Sequence, residues 1–289
     1  MVSVVIPAFN EEAVIGRCLR ALLDGAEPGE LEVIVACNGC HDRTAERARS
    51  FGPPVHVIEV PTASKVVALN AADVIATAFP RFYVDADVIL PISSVRAIVA
   101  EMENPEVLLA SPVARTDLAA SSLPVRMFYG VWLSLPYNRF MVGTGVYAMS
   151  KIGRSRFLEF PDVIADDGYV RSQFRPRERV AVDTAPVFVT APATLRTLLS
   201  VKERSRLGGY ELADKYPSKL PRRPVSLGEI IVSFPKRWAL PWMLLVYFGV
   251  NVVVRTRARL RFRRFASFQW SRDDTSRESA VDGGSSIVR

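Results

Sequence analysis

Four times before residue 88, this chain runs a short β-branched segment into a polar turn. The segments Val2–Ile6, Val33–Ala36, Val55–Val60 and Arg81–Val84 read as strands. Helical patterns lie between them. Glu11–Leu23 carries Val14, Ile15, Leu19, Leu22 and Leu23 at helical spacing, Asp42–Phe51 stops at Gly52-Pro53-Pro54, and Ser64–Thr77 has Ser64 placed to cap it. Strands alternating with helices of this length predict βαβ units and a mostly parallel sheet flanked by helices. Right-handed crossovers gather the loops after the strands at one sheet edge, where open α/β sheets bind ligands. Those loops are Pro7–Glu12, Cys37–Asp42, Pro61–Lys65 and Asp85–Asp87. Polar loops alone do not explain a carboxylate pair ending a buried apolar strand, where desolvation makes charge costly.

Beyond residue 100 the pattern loosens. Val107–Val113 and Val187–Thr190 read as strands, and Gly143-Thr144-Gly145 as a tight turn before Val146–Met149. An apolar share of 49% with 23% charged residues excludes a disordered chain, and 289 residues allow one large domain or a domain with an appendage. Cys18, Cys37 and Cys40 form a sparse, odd set that fits a reducing compartment rather than a disulfide scaffold. The opening MVSVVIPAFNEE has no basic n-region and no small-residue cleavage site, so no signal peptide is expected.

The net charge of +7 is unevenly placed: residues 1–200 hold 19 Lys+Arg against 22 Asp+Glu, and residues 201–289 hold 18 against 8. A basic region on a near-neutral body suggests an anionic surface as partner. Trp238–Val254 is 17 residues without a charge, followed by Arg255, Arg257, Arg259, Arg261, Arg263 and Arg264. As a helix it would span about 25 Å, short of the roughly 30 Å hydrocarbon core, and it contains Pro241 and Asn251. A crossing from a cytoplasmic body would export the arginines, against the positive-inside tendency. The expectation is a peripheral or monotopic segment on the cytoplasmic face. Trp238, Trp242 and Tyr247 would sit at the headgroup boundary, with Lys236, Arg237 and the arginine cluster on anionic lipid at roughly 1 kcal/mol each. A core helix with a basic flank is the alternative. Nucleic acid is not expected as partner, because the apolar run would have no role there.

Asp85-Ala86-Asp87 is the sharpest chemical feature. Two hard carboxylate ligands one residue apart suit Mg²⁺ or Mn²⁺, whose shell is completed by phosphate oxygens and water. Such an ion neutralises a diphosphate leaving group. Cys37-Asn38-Gly39-Cys40 with His41 invites a zinc reading, but only His41 and His56 exist in the chain and no second Cys pair follows. Small residues in a binding loop are the preferred reading.

Five ordered segments resemble glycosyltransferase family 2, with its GT-A (Rossmann-like) nucleotide-sugar fold, over about residues 1–210. They are VSVVIPAFNEE, VIVACNGCHDRTAERA, SKVVALNAA, YVDADV and ADDGYV (165–170). The resemblance implies an inverting hexosyltransferase moving a sugar from a nucleoside-diphosphate sugar to a hydroxyl, and a site beside a membrane points to a lipid-linked or polysaccharide acceptor. Pro7, Ala8, Asn10 and Glu11 would line the nucleoside pocket, Glu11 on the ribose. Asn38 stands where the family usually has an Asp on the base, and an amide oxygen still accepts a hydrogen bond from a pyrimidine N–H. Lys65 would face the diphosphate, Asp85 the ribose and metal, and Asp87 the metal. The family's acidic motif is usually Glu-Asp, with its second residue as base. This assigns Asp167 as general base and Asp166 as a supporting or acceptor-contacting residue. Gly143, Thr144 and Gly145 would lie under the sugar and acceptor. Arg204 and Arg206 fall in a segment loosely similar to the Gln/Arg-x-x-Arg-Trp motif of processive members, where an arginine pairs with diphosphate. The missing aromatic and the lack of several long apolar spans argue against a processive synthase.

The implied organisation is a catalytic domain over 1–210, a basic helical membrane-associating region over 211–265, and a disordered tail over 266–289. Two alternatives stand beside it. In a haloacid-dehalogenase-like phosphatase, Asp85, Asp87, Thr116, Lys151 and Asp166-Asp167 mimic the motif order, although three strands precede Asp85 where that class places its nucleophile after the first. The other is a non-catalytic nucleotide-sugar-binding adaptor at a membrane, which would not require a base.

Overall fold

The computed structural model describes residues 1–135, 144–217 and 240–263. Gly143, Lys236, Arg237, Trp238, Arg264 and the tail 266–289 lie outside the described residues. The strands are β1 (Val2–Ala8), β2 (Leu31–Asn38), β3 (Val55–Val60), β4 (Arg81–Val84), β5 (Leu109–Asp117), β6 (Val146–Met149) and β7 (Arg179–Thr190). They form one sheet in the order β3-β2-β1-β4-β6-β5-β7. β1 runs parallel to β2 and β4, and β2 to β3, as the βαβ pattern requires. β6 lies antiparallel between β4 and β5, and β5 pairs parallel with β7. The sheet is therefore mostly parallel, with one reversed strand at its middle.

The helices are α1 (Ile15–Leu23), α2 (Thr44–Arg49), α3 (Lys65–Ile75), α4 (Ile92–Glu101), α5 (Leu123–Trp132), α6 (Lys151–Arg154), α7 (Asp166–Ser172), α8 (Leu195–Lys215) and α9 (Leu240–Arg263). Ser64 caps α3 as expected, its hydroxyl accepting from the Val67 N–H at 3.4 Å. α2 starts later than the apolar pattern suggests, because Asp42 Oδ1 takes the Thr44 N–H at 3.0 Å and turns the chain first.

Strand alternation explains the two faces. Val4, Ile6, Val33, Val35, Phe82 and Val84 pack with Ile15, Leu19 and Leu22 of α1 and with Val95 and Ile98 of α4. Val5, Ile34, Tyr83 and Tyr147 face the other way, onto Val66 and Leu69 of α3 and Tyr169 and Val170 of α7. β1 is buried along its whole length, which is why it reads as a nearly unbroken apolar run.

A third cluster joins Val125 and Phe128 of α5, Leu198 of α8, and Tyr247, Val250 and Val254 of α9. The expected division at 210/211 falls inside α8, which continues without a break to Lys215. α9 has a buried and an exposed side. Tyr247, Val250, Val254 and Ala258 form its buried stripe, while Trp242, Leu245 and Val252 are exposed at 65%, 64% and 63%. Among the described residues no helix is long and apolar enough to cross a membrane.

Candidate active site

Because β1, β2 and β4 are parallel, their carboxyl ends share one edge, and a cavity of about 350 Å³ opens there. One part of its wall holds Pro7, Glu11, Asn38, Lys65, Asp85 and Asp87. Its lining also includes Thr144, Gly145, Asp166, Asp167 and Arg204. Three expected residues lie outside this wall. Ala8 is enclosed in the sheet core. Asn10 adopts a left-handed conformation, φ 52°, which asparagine tolerates, and turns its Oδ1 to the His41 N–H at 2.8 Å. Arg206 lies past the arc of α8 that Val201, Lys202, Arg204 and Ser205 present to the cavity.

The first two loops are tied to each other. The buried Asn38 amide donates to the Ala8 carbonyl at 2.8 Å and accepts from the Ser64 N–H at 3.2 Å, linking β1, β2 and the start of α3. Cys40 Sγ donates to the same Ala8 carbonyl and accepts from the Asn10 N–H, each at 3.3 Å. Among the described residues, no group of three or more His, Cys, Asp or Glu side chains is placed to hold a metal ion.

The Asp85–Asp87 turn is fixed from three sides. The Asp85 N–H donates to the Gly145 carbonyl at 2.8 Å, and Arg17 Nη2 of α1 donates to the Asp87 carbonyl at 3.3 Å. Two residues on, Ile89 exchanges both backbone hydrogen bonds with Phe188 of β7, at 3.0 and 2.9 Å. Gly145 is required where it stands. Its φ is +62°, and a Cβ there would lie 2.8 Å from Val88 Cγ1 and 3.1 Å from Asp85 Oδ2.

Asp166 and Asp167 form the first turn of α7, where the helix dipole favours carboxylates. α8 sets their position. Gly208 allows close approach, since a Cβ there would lie 2.9 Å from Ala165 Cβ, and Glu211 Oε2 accepts the Ile164 N–H at 2.7 Å. The two acidic pairs meet at one ammonium: Lys65 Nζ lies 2.8 Å from Asp85 Oδ1 and 3.1 Å from Asp166 Oδ1. Burial opposes the lysine's charge, but Asp166 and Asp85 outweigh it and hold Lys65 above the usual lysine range.

Asp166 is 5% exposed, and its Oδ2 has no hydrogen-bond partner. The buried Tyr147 hydroxyl in the same wall has none either, and burial together with the Asp166 charge pushes its pKa well up. Two orphaned polar atoms in one cavity leave room for ligand hydroxyls. Asp167 accepts the Gly168 N–H at 2.7 Å. Desolvation by the cavity walls, then the Asp166 charge, raises its pKa against the pull of Lys65. The carboxylate nevertheless remains open to cavity water.

The cavity also contains residues with no sequence signal of their own, namely Tyr147 of β6, Thr190 at the end of β7, Tyr129 and Trp132 of α5 and Lys202 of α8, together with Thr116 near the end of β5. Lys202 Nζ lies 3.8 Å from the Trp132 ring centroid, 5.2 Å from that of Tyr129 and 5.4 Å from that of Phe128. Burial lowers its pKa to about 7, with Arg206 adding to the shift.

The sheet thus has one reversed strand, and two acidic pairs converge at its carboxyl edge. The model of "Glycosyl transferase family 2" matches residues 3–147, half of the chain, and the chain belongs to this family. No curated protein matches the sequence. The mannosyltransferase PcManGT from Pyrobaculum calidifontis, in complex with GDP-Man and Mn²⁺, is 20% identical with a TM-score of 0.62, covering 98% of this chain and 86% of that one. Glucosyl-3-phosphoglycerate synthase from Mycobacterium tuberculosis, with Mn²⁺, UDP-glucose and glycerol 3-phosphate, is 21% identical with a TM-score of 0.55, over 78% of this chain and 83% of that one. TarS residues 1–349 from S. aureus, with UDP, is 15% identical with a TM-score of 0.51, over 95% and 94%. These likenesses establish the GT-A fold. The phosphatase alternative is set aside by the family match, and Lys151 of its motif sits exposed at the start of α6, outside the cavity wall.

Proposed function

We propose that this glycosyltransferase is an inverting hexosyltransferase acting by single displacement on a hydroxyl acceptor. The observation that carries the reading is the Lys65 ammonium joining Asp85 to Asp166 in one cavity at the carboxyl edge of the sheet. The nucleoside lies against Pro7, Glu11 and Asn38, with Ala8 and Asn10 shaping the loop behind them. Lys65 and Arg204 face the diphosphate, while Arg206, outside the wall, takes no direct part. The GDP-Man and UDP-glucose complexes of the structural neighbours support this donor class.

Asp85 and Asp87 would hold Mn²⁺ or Mg²⁺. The residues fit such an ion. Both line the cavity from one turn, Asp85 is 39% exposed, and two hard carboxylates are the donor set such an ion would take. When bound, the ion offsets the charge of the leaving diphosphate. Asp167 accepts the proton of the acceptor hydroxyl as that oxygen attacks the anomeric carbon. The C–O bond to the diphosphate breaks on the opposite face, so configuration inverts. Asp166 Oδ2 and the Tyr147 hydroxyl are free to orient sugar or acceptor hydroxyls, over the floor made by Thr144 and Gly145.

The acceptor is lipid-linked or part of a polysaccharide, and the enzyme works at the cytoplasmic face of a membrane. The exposed apolar side of α9, running into exposed Arg255, Arg257 and Arg259, supports this placement. On this reading residues 1–210 are the catalytic part and 211–265 the membrane-associating region, with α8 crossing the join.

Thermal-shift titration of GDP and UDP with and without Mn²⁺, followed by turnover of GDP-mannose and UDP-glucose, tests the proposal. Metal-dependent stabilisation and donor consumption are expected. Nucleotide binding without any turnover would leave only the non-catalytic adaptor reading.

A further inference from the structure

Two lysines line the cavity, and their surroundings differ. Lys65 is held by Asp85 and Asp166. Lys202 has no carboxylate at ion-pairing distance among the described residues; its ammonium rests on the rings of Trp132, Tyr129 and Phe128. Ring faces attract a cation, at roughly 0.5–2 kcal/mol for such contacts, but they do not neutralise it. Burial pushes its pKa down to about 7, and among the described residues Arg206, of the same sign, adds to the shift. Lys65, by contrast, feels Asp166, Asp85 and Asp167. Lys202 lies on α8 against the α5 rings, and among the described residues no carboxylate reaches it as Asp85 and Asp166 reach Lys65. Thr116, Thr190 and Ser205 line the cavity as well and bring hydroxyl donors. A half-buried cation with no counter-charge among the described residues is costly, and an anionic ligand would supply that charge.

Building on the donor reading above, we propose that Lys202 binds an anionic group of the acceptor, a phosphate or a carboxylate, with the Phe128, Tyr129 and Trp132 rings holding the ammonium in place. The acceptor is then a negatively charged hydroxyl compound, and a neutral one lacks the charge that would partner Lys202. Lys202 is a specificity-determining residue, separate from the acids that handle the donor.

The test uses the full chain as wild type, Lys202→Met, Lys202→Gln and Lys202→Arg. Each is titrated with sodium sulfate, a tetrahedral dianion that stays dissolved with Mn²⁺, and with sodium acetate. Sodium chloride at equal ionic strength is the baseline, and unfolding temperature is read with and without saturating GDP or UDP plus Mn²⁺. Sulfate also stabilises proteins generally by exclusion from their surface, so the difference between variants is the readout. Wild type and Lys202→Arg are expected to bind sulfate or acetate with the nucleotide in place, and both charge-removing variants to bind about tenfold or more weakly. An equal response in wild type and the charge-removing variants overturns the proposal. So does a response that nucleotide with Mn²⁺ abolishes, which would assign Lys202 to the diphosphate. The Gln variant decides if the Met variant does not fold. Should nucleotide with Mn²⁺ fail to stabilise even the wild type, the donor reading falls, while the titrations without nucleotide still decide whether Lys202 takes an anion.

Discussion

Asp167 has the environment a base needs: walls that disfavour its charge, a like-charged neighbour, and an opening through which an acceptor hydroxyl arrives. A raised pKa means that the carboxylate loses its charge earlier on acidification than an ordinary aspartate. kcat/KM is therefore expected to fall, as pH decreases, at a value above the ordinary carboxylate range, and Asp166→Asn, by removing the like charge, to move that limb to lower pH. Asp167→Asn should reduce kcat by about 10²–10⁴ while nucleotide binding persists. A pH–rate profile with its acid limb in the ordinary range, unmoved by Asp166→Asn, would remove the assignment. The acids and Lys65 were legible in the sequence because each opens or closes a regular element: Lys65 starts α3, Asp85 follows β4, and Asp166 starts α7. Ala8 and Arg206 follow cavity residues in sequence but do not line the cavity themselves, since one belongs to the sheet core and the other lies off the lining arc of α8.

At the scale of elements, β1 to β4 announce themselves by β-branched runs with helices between them, so their parallel order follows from local pattern. β6 does not. Its four residues, Val-Tyr-Ala-Met, are all buried and carry no mark of direction, and its place between β4 and β5 is decided by distant partners. The same holds for α5 and α8, whose aromatic and basic residues gain meaning only when the two helices meet over the ends of β5 and β7. The β4–β6 junction makes a sharp test. Gly145→Ala places a side chain against Val88 and Asp85 in a backbone conformation that L-residues avoid, a cost of about 1–3 kcal/mol. Urea unfolding should report that loss. Turnover should require more Mn²⁺ than in the wild type, because the Asp85 carboxylate has moved. An unchanged metal dependence would show that the junction does not position the metal turn.

For the molecule as a whole, the basic third of the chain and the apolar side of α9 predict binding to anionic bilayers. Cosedimentation is expected with vesicles containing phosphatidylglycerol but not with pure phosphatidylcholine, and it should weaken with salt. Replacing Arg255, Arg257 and Arg259 by glutamine should cost about 3 kcal/mol, roughly a hundredfold in binding; equal binding to both vesicle types would end the membrane proposal. One ring links this surface to the interior: Phe128 stacks on Tyr247 of α9 at 5.3 Å and also lies under the Lys202 ammonium. Trimming it to alanine, a loss of about 3–5 kcal/mol at a buried aromatic, should unseat the C-terminal helix and loosen the grip on charged acceptors together, with nucleotide affinity left intact. A single phenyl group thus makes docking and acceptor choice inherit each other's mutations.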